Sequence, residues 1–253
     1  MNSKRKLIIS MLVIAFILLS IIATVAIVFA LTQQTIKTAL NISYKAEDID
    51  ATVSAKMTYQ TGVTEDLGSI TFEAGNATAE TGSLSPQNNI ELSTNDQYVI
   101  FEYTFKNTGE KDFVAIFNYT DTEETDQNMS FGYKGNAESY KETANAILIN
   151  GGETKTYYVK ISIENLAKNA HLSGDILWDM TSNIVVANPN NAQEVLDSNI
   201  NDKTVVFTAG TYNENLILRP SYLTAIVEDQ AGNSVVVDNL IDSTSYSYTR
   251  NID

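Results

Sequence analysis

The feature that most constrains the fold is an alternation of apolar and polar residues along segment 98–119. Before its centre, the apolar positions share one face of an extended chain: Val99, Phe101, Tyr103 and Phe105. After the turn-like Asn107-Thr108-Gly109, the alternation resumes at Phe113, Ala115, Phe117 and Tyr119. A two-residue period is typical of a strand with one buried face, and two such strands joined by a short Asn/Gly connection indicate a β-hairpin. Because a lone hairpin is only marginally stable, we expect further strands to cover its aromatic face.

Other segments supply candidates for those strands. Alternating or short apolar runs occur at 40–44, 49–59, 147–149, 154–164 and 172–180, with weaker ones at 70–73 and 90–92. Residues 60–97 otherwise have loop composition, 121–140 is a polar stretch, and Asn150-Gly151-Gly152-Glu153 indicates a tight turn. The pattern predicts about seven strands within 39–182 and an all-β fold, an immunoglobulin-like or jelly-roll sandwich. Trp178, the only tryptophan, is expected to fill its core.

The N-terminal region predicts an export segment. Residues 1–6 carry Lys4, Arg5 and Lys6, and residues 7–31 follow without a charged side chain. As a helix, these 25 residues would span about 37 Å, enough for a hydrocarbon core of roughly 30 Å. The basic flank predicts that the N-terminus is cytoplasmic and that everything after a polar neck, 32–38, lies outside. The length favours an uncleaved single-pass transmembrane anchor over a signal peptide cleaved near Ala30, the alternative.

Composition narrows the classes of function. The formal charge is −15, and without residues 1–30 it is 13 bases against 31 acids, or −18. Such a surface repels polyanions, so no nucleic-acid partner is predicted. The chain has no cysteine, which excludes disulfides, thiolate zinc sites and cysteine nucleophiles. Export without cysteine is more typical of a bacterial cell surface than of a eukaryotic secretory route.

The residue pattern changes at about residue 183, and residues 183–253 are predicted to form a small β unit. A short helix is expected at 192–196, capped by Asn190 or Asn191. Short strand candidates follow at 204–208, 216–218, 223–227 and 234–237. A unit of about 70 residues has a thin core. We therefore expect one of three arrangements: the unit packs against the first domain, pairs with another copy, or is the beginning of a longer array.

Two stretches resemble known families. Residues 101–120 and 149–180 combine strand–NTG–strand, GGET–strand and a closing SGDILW strand. Over residues 7–182 this order is similar to the camelysin-like bacterial surface proteins, which include biofilm-matrix fibre subunits. The resemblance implies a secreted jelly-roll subunit that polymerises by strand exchange. Some members are labelled metallopeptidases.

The second resemblance concerns residues 191–221, which contain AGTYNENL. This stretch looks like the opening of a right-handed parallel β-helix of the pectate-lyase type. The resemblance implies a short capping helix, a turn at Asn213, Glu214 and Asn215, and entry of Leu216 and Leu218 into the stack. A solenoid needs about three repeats to bury its faces, and only 32 residues follow Ser221.

No catalytic, cofactor-binding or metal-binding residue is predicted. The acidic segment 121–128 offers oxygen ligands, but it lacks the glycine and bidentate glutamate of an EF-hand loop, so at most weak calcium binding is expected. His171 is the only histidine, too few for a zinc peptidase or for Ser-His-Asp chemistry without two further partners. Outward tyrosines such as Tyr158 would suit an aromatic sugar platform.

These observations predict a non-enzymatic, extracytoplasmic structural or adhesive surface protein of a bacterium, attached to the membrane through residues 7–31. Self-association is expected by β-strand pairing of residues 39–44 with the sheet edge of a neighbouring copy. One alternative is cell-wall or extracellular glycan binding or processing by residues 183–253. The other is a metallopeptidase, which the single histidine and absent cysteine disfavour.

Overall fold

In the computed structural model, the described residues are 39–242 with short gaps, together with Ile17. The gaps are 76–79, 88–89, 91, 93–95, 122–128, 136–137, 143, 164–172, 199, 201, 219–222, 230 and 234. None of the helices within these described ranges has both the length and the apolar character that crossing a membrane requires. Apart from Ile17, the predicted export segment 7–31 lies outside the described residues, so it stays a prediction.

The fold is all-β, as the sequence predicts, and the described strands of the first domain form two five-stranded sheets. These strands are β1 Ala39–Glu47, β2 Ala51–Tyr59, β3 Thr64–Phe72, β4 Glu80–Ser83, β5 Tyr98–Asn107, β6 Phe113–Asp121, β7 Met129–Lys134, β8 Ala146–Ile149, β9 Thr154–Ile163 and β10 Ser173–Thr181. Sheet I has the order β4-β1-β10-β6-β8, and sheet II has the order β3-β2-β5-β9-β7.

The two sheets share one apolar core. Alternate residues of their strands face inward, so that β5 buries Val99, Phe101, Tyr103 and Phe105 as predicted. Trp178 is fully buried, and the centre of its ring system lies 5.0–5.5 Å from four aromatic rings, those of Tyr103, Phe105, Phe117 and Tyr157. Aromatic rings at such distances add edge-to-face contacts to the area that they bury. The prediction that Trp178 fills the core is confirmed.

The predicted hairpin between β5 and β6 is wrong. Strand β5 pairs with β2 and β9 in sheet II, whereas β6 pairs with β10 and β8 in sheet I. The connection therefore crosses the core from one sheet to the other. Asp50 holds it there, because its carbonyl oxygen accepts hydrogen bonds from the N–H groups of Thr108 and Gly109. Alternation identifies the buried face of each strand, but both strands of a hairpin and two strands of facing sheets satisfy it equally well.

Sequence patterning also missed strands in polar regions. The structure describes ten strands where about seven are predicted, and β7 lies inside the stretch expected to be polar loop. Residues 70–72 of the predicted segment 70–73 are the end of β3, which is nine residues long and packs Leu67, Ile70 and Phe72 against the core while its other positions are mostly exposed. Edge strands such as β3 and β7 need little apolar alternation because one side of the ladder faces solvent.

The second unit contains α1 Ala192–Asp197 and five short strands that pair in parallel. The strands are β11 Ile184–Ala187, β12 Thr204–Phe207, β13 Gly210–Leu218, β14 Leu223–Ile226 and β15 Val235–Asp242. Strands β11, β12 and β14 form one parallel sheet, and β13 pairs in parallel with β15. The predicted helix is confirmed and follows Asn191, whose side chain makes no capping bond; its Oδ1 instead accepts from the N–H of Asn188. Parallel pairing is also what the β-helix resemblance implies for this stretch.

The second unit packs against the first. The outer face of β6 and β8 contributes Val114, Ile116 and Ala146 to a buried cluster, and the second unit contributes Val206, Ala225 and Val227. Ala146 also forms a parallel bridge with Val227. The structure thus realises the first of the three alternatives for residues 183–253, in which the unit leans on the sandwich.

Candidate functional site: the first strand and its slot

Strand β1, which contains the predicted self-association segment 39–44, occupies an interior position of sheet I. On one side it pairs in parallel with β10, from Ala39 opposite Ser173 to Glu47 opposite Thr181. On the other side it pairs antiparallel with β4, which spans only four residues. We call the groove between β4 and β10 the β1 slot. Residues 39–44 therefore pair within their own chain, on a strand that one partner covers fully and the other only briefly.

Apolar side chains of β1 fill the β1 slot and cover the core beneath it. The inward residues of β1 are all buried: Leu40, Ile42, Tyr44 and Ala46. The Tyr44 ring lies 6.3 Å from that of Tyr103 and 6.4 Å from that of Phe72, both in sheet II. Burial raises the pKa of Tyr44 well above its usual value. Without β1, this part of the core would face water.

Polar groups fix the register of β1 on its outer side. The Asn41 Nδ2 donates to Asp175 Oδ1 at 3.1 Å, next to the strand ladder with β10. The N–H of Ile42 donates to Ser85 Oγ at 3.0 Å, and the carbonyl oxygen of Ile42 accepts from the Leu84 N–H at 3.1 Å. Ser85 and Leu84 thus extend the short β4 edge. These residues had no motif signal, because their role depends on a strand more than 40 positions away.

The outer strands of sheet II, β3 and β7, offer little free ladder. Strand β3 contains a register irregularity opposite Ala55 and Lys56, next to Gly68 at φ +92°, and carries Glu65 and Asp66. Strand β7 is partly covered by Lys141, whose N–H and carbonyl exchange bonds of 2.7 Å with Tyr133. Bulges, charges and covering segments are the usual means of protecting sheet edges. Edge-to-edge addition at β3 or β7 is therefore disfavoured.

The outward tyrosine predicted from sequence, Tyr158, belongs to a cluster on the outer face of sheet II. The Lys134 ammonium lies 5.1 Å from the Tyr158 ring centre and 4.6 Å from that of Tyr140. The Lys160 ammonium lies 4.2 Å from the Tyr98 ring centre. Such distances suit cation–π contacts. Burial raises the pKa of Tyr140 to about 12. Sequence reasoning missed Tyr140, which packs over Gly132 from outside the strand pattern.

Two other candidates of the sequence lie outside the described residues: His171 and the acidic loop at 122–128. Across the part of the chain that the structure does describe, no group of three or more His, Cys, Asp or Glu side chains is placed to hold a metal.

The AGTYNENL stretch forms part of the second unit's core. The Tyr212 hydroxyl lies 2.8 Å from the carbonyl oxygen of Thr208 and 3.1 Å from that of Ala187. Tyr212 and Leu216 are buried, and Asn213 is exposed. The structure does not describe the side chains of Glu214 and Asn215. Tyr212 therefore has a structural role in this stretch, because its buried ring and hydroxyl are held within the second unit.

No family model matches the chain, and no curated protein matches it significantly.

Proposed function

We propose that this chain is a non-enzymatic extracytoplasmic structural or adhesive protein whose copies associate by exchanging strand β1. The observation that supports the proposal is the position of β1. It is the first strand of the sandwich, it follows the predicted neck, and it fills an interior position of sheet I. A strand at the beginning of a domain can leave its slot without unthreading any other strand.

Exchange conserves the contacts that hold the strand. When β1 of one copy enters the slot of the next, the parallel ladder with β10 and the burial of Ile42 and Tyr44 form again. Swapping an identical element is for this reason a low-cost route to association. The open slot left by one copy has to be filled by another, which in a linear arrangement yields a chain of subunits.

We further propose that the sandwich is of the jelly-roll type. Among the described strands of the sandwich, β1–β10, β2 and β3 are the one consecutive pair that lies side by side, and every other connection crosses between the sheets. Crossing at nearly every connection supports a jelly roll, since immunoglobulin-like domains contain several consecutive strands in one sheet. The extracytoplasmic location is supported by the predicted segment 7–31. Mass spectrometry of the mature N-terminus would distinguish an uncleaved anchor from a signal peptide cleaved near Ala30.

Disulfide trapping tests the exchange, because the chain contains no cysteine of its own. Asn41 and Asp175 are exposed register partners on β1 and β10. We would prepare Asn41→Cys and Asp175→Cys separately, mix the two proteins at high concentration, and oxidise them. A disulfide between the two variants requires β1 of one copy in the slot of the other, so we expect cross-linked dimers on non-reducing gels.

The matched control pairs Asn41→Cys with Thr154→Cys, an equally exposed position at the start of β9 in sheet II. Strand exchange predicts no comparable dimer for this mixture. Equal cross-linking of both mixtures, or none in either, would refute exchange through β1. A double variant carrying both Asn41→Cys and Asp175→Cys would in addition report the fraction of strands that remain in their own chain.

A further inference from the structure

A patch of tyrosines and lysines lies on the outer face of sheet II, and we call it the tyrosine–lysine patch. Its members are Tyr98 on β5, Lys134 on β7, Tyr158 and Lys160 on β9, and Tyr140 from the segment after β7. Strand register brings them together, because Lys134 lies opposite Tyr158, and Lys160 lies opposite Gly132 of β7. All five side chains are partly exposed, so a molecule in solution can contact them.

Gly132 makes room for the centre of the patch. Tyr140 packs over Gly132, where an added Cβ would lie 3.0 Å from the Cβ of Tyr140. The Tyr140 ring centre is 4.6 Å from the Lys134 ammonium and 5.7 Å from the Lys160 ammonium. Two ammonium groups are therefore held close to one ring at the surface of the sheet.

The two lysines of the patch lie beside rings and not beside acids. Neither forms a salt bridge with a residue that the structure describes, although the chain has 31 acids and 16 bases. Lys160 lies 4.2 Å from the ring centre of Tyr98, and Lys134 lies 5.1 Å from that of Tyr158. Such cation–π contacts orient an ammonium group and leave its charge in place.

Two described carboxylates lie near the patch, and each has a lysine outside it. Glu102 forms a salt bridge of 2.9 Å with Lys56. Burial raises the pKa of Glu228, and of the two lysines that lower it, Lys141 acts more strongly than Lys134. The positive charges of Lys134 and Lys160 therefore remain available to a ligand.

These two charges select a small anion. Ammonium groups donate charge-assisted hydrogen bonds to carboxylate, sulfate or phosphate oxygens, and such bonds are roughly twice as strong as neutral ones. The Debye length is about 8 Å at physiological ionic strength, so the lysines beside a single anionic group dominate its interaction with the protein. A long polyanion would also meet the acidic remainder of the surface, which agrees with the prediction of no nucleic-acid partner.

The tyrosines of the patch add partners for ligand hydroxyl groups. Burial, followed by smaller effects of Tyr158 and Tyr98, raises the pKa of Tyr140 to about 12. The Tyr140 phenol is therefore protonated at neutral pH, and a phenol can both donate and accept. The influence of Tyr158 and Tyr98 on Tyr140 also places the three phenols around one part of the surface.

A ligand that carries hydroxyl groups next to an anionic group is complementary to both sets of side chains. We propose that the tyrosine–lysine patch binds an acidic sugar residue, with its carboxylate at the ammonium groups of Lys134 and Lys160 and its hydroxyl groups at the surrounding phenols. This proposal does not rest on strand exchange.

Calorimetric titration of the full chain tests this selection. The probes are glucuronate, glucose without the carboxylate, glucosamine with a positive charge, and acetate as a carboxylate without the sugar ring. We expect glucuronate to bind about tenfold more tightly than each of the others, because each lacks the negative charge or the hydroxyl groups. Raising the ionic strength from 0.01 M to 1 M shortens the Debye length from about 30 Å to about 3 Å, so the affinity for glucuronate should fall.

Lysine variants locate the site. Lys160→Gln removes one ammonium group, so the affinity for glucuronate should fall about tenfold, whereas Lys160→Arg should retain most of it. Lys134→Gln is an independent second variant with the same expected loss. The matched control is Lys106→Gln, which removes the same charge from an exposed position on the same face of sheet II. Lys106 lies opposite Thr154, roughly 20 Å along β9 from Lys160, so its loss should leave the affinity unchanged.

Four results would overturn the proposal. The first is that glucuronate does not bind. The second is that glucose or glucosamine binds as tightly as glucuronate, because the patch would then not select a negative charge. The third is that acetate binds as tightly as glucuronate, which would leave a site for a bare anion only. The fourth is that Lys106→Gln weakens binding as much as Lys160→Gln and Lys134→Gln do, with the circular dichroism of all three variants equal to that of the parent.

Discussion

The side-chain amide of Asn107 donates a hydrogen bond of 3.1 Å to the carbonyl oxygen of Asn150. Asn107 ends β5, and Asn150 begins the turn between β8 and β9, so this bond joins two connections that cross between the sheets. Asn107 is buried, and it also donates to the Lys111 carbonyl at 2.7 Å and accepts from the Gly109 N–H at 3.0 Å. One side chain thus satisfies three backbone groups at this end of the sandwich.

Replacing Asn107 by alanine should destabilise the sandwich strongly. The substitution removes the amide that bonds the Lys111 carbonyl, whereas the Gly109 N–H keeps its bond to the Asp50 carbonyl and the Asn150 carbonyl keeps that from the Glu153 N–H. Because a buried unsatisfied group costs about 1–3 kcal/mol, we expect the free energy of unfolding to fall by about that amount. Urea denaturation measures it. The control is Thr108→Ala, an exposed neighbour, for which a loss comparable to that of Asn107→Ala would contradict the explanation.

Gly151 should not tolerate a side chain. The turn packs so closely on the β5–β6 connection that a Cβ at Gly151 would overlap the carbonyl oxygen of Glu110. We expect Gly151→Ala to lower the free energy of unfolding by about 1–3 kcal/mol, the usual cost of overpacking. At Gly135 a Cβ would meet no atom closer than 3.9 Å, so Gly135→Ala should lower the free energy of unfolding much less. Thermal melts of the two variants would measure the difference. Equal losses would show that the close contact is unimportant.

Trp178 should be the largest single contributor to the core. Trp178→Ala removes a fully buried ring surrounded by four others, and we expect it to cost about 3–5 kcal/mol. Trp178→Phe keeps part of the edge contacts and should cost less. Before substitution, the tryptophan emission of the native chain should be blue-shifted and should move to the red on unfolding. Native emission at the wavelength of exposed indole would contradict the buried position.

The pH dependence of stability should change at Glu228. Burial raises the pKa of Glu228 in the folded chain, so the protonated side chain is favoured in the folded state. Its contribution to the free energy of unfolding is fully present below the unfolded pKa and is lost as pH rises through the folded pKa. Glu228→Gln keeps an acceptor for Gly135 and removes this dependence. We therefore expect the variant to melt higher than the parent at neutral pH, and the difference to vanish in acid.

The adjacent Asp229 provides a control of opposite sign. Hydrogen bonds from Asn233 hold the pKa of Asp229 below its usual value. Its contribution is therefore present above the unfolded pKa and is lost as pH falls through the folded pKa. Asp229→Asn should melt lower than the parent at neutral pH. If both variants shifted the melting temperature in the same direction, neither assignment would stand.

Buried tyrosines should resist titration with alkali. Burial raises the pKa of Tyr133 to about 12, and raises those of Tyr44 and Tyr157 further. Stability linked to these groups is present below the unfolded pKa and is lost as pH rises through the folded values. Near-ultraviolet phenolate absorbance should therefore show a late step that coincides with alkaline unfolding. Titration of all tyrosines near their ordinary pKa in the folded chain would contradict the core.

The alternation of residues anticipated the inward face of β1, β2, β5 and β9, and the apolar anchor Trp178. It did not indicate that β5 and β6 lie in different sheets, because a two-residue period describes one strand and carries no information about its partner. Strand β7 was missed for a related reason: as an edge strand it pairs on one side with β9 and needs few apolar residues.

The cavity between the second unit and the sandwich, which Tyr157 and Glu228 both line, could not be predicted from any motif. Tyr157 occupies an inward position of a strand and resembles any other core tyrosine, while Glu228 follows a short strand in a different unit. Only the packing of β14 beside β8, through the bridge of Ala146 and Val227, brings the two side chains to one cavity.

The sequence by itself determined that this protein is built from strands and which side chains β1, β2, β5 and β9 bury, because both follow from the local periodicity of the backbone. The tertiary structure alone decided which strands pair, that β1 runs parallel to β10, and that Glu228 of the second unit accepts a hydrogen bond from Gly135 of the sandwich. The physical reason is that pairing and burial of polar groups depend on hydrogen bonds and packing between segments distant in the chain, and no short window of residues contains them.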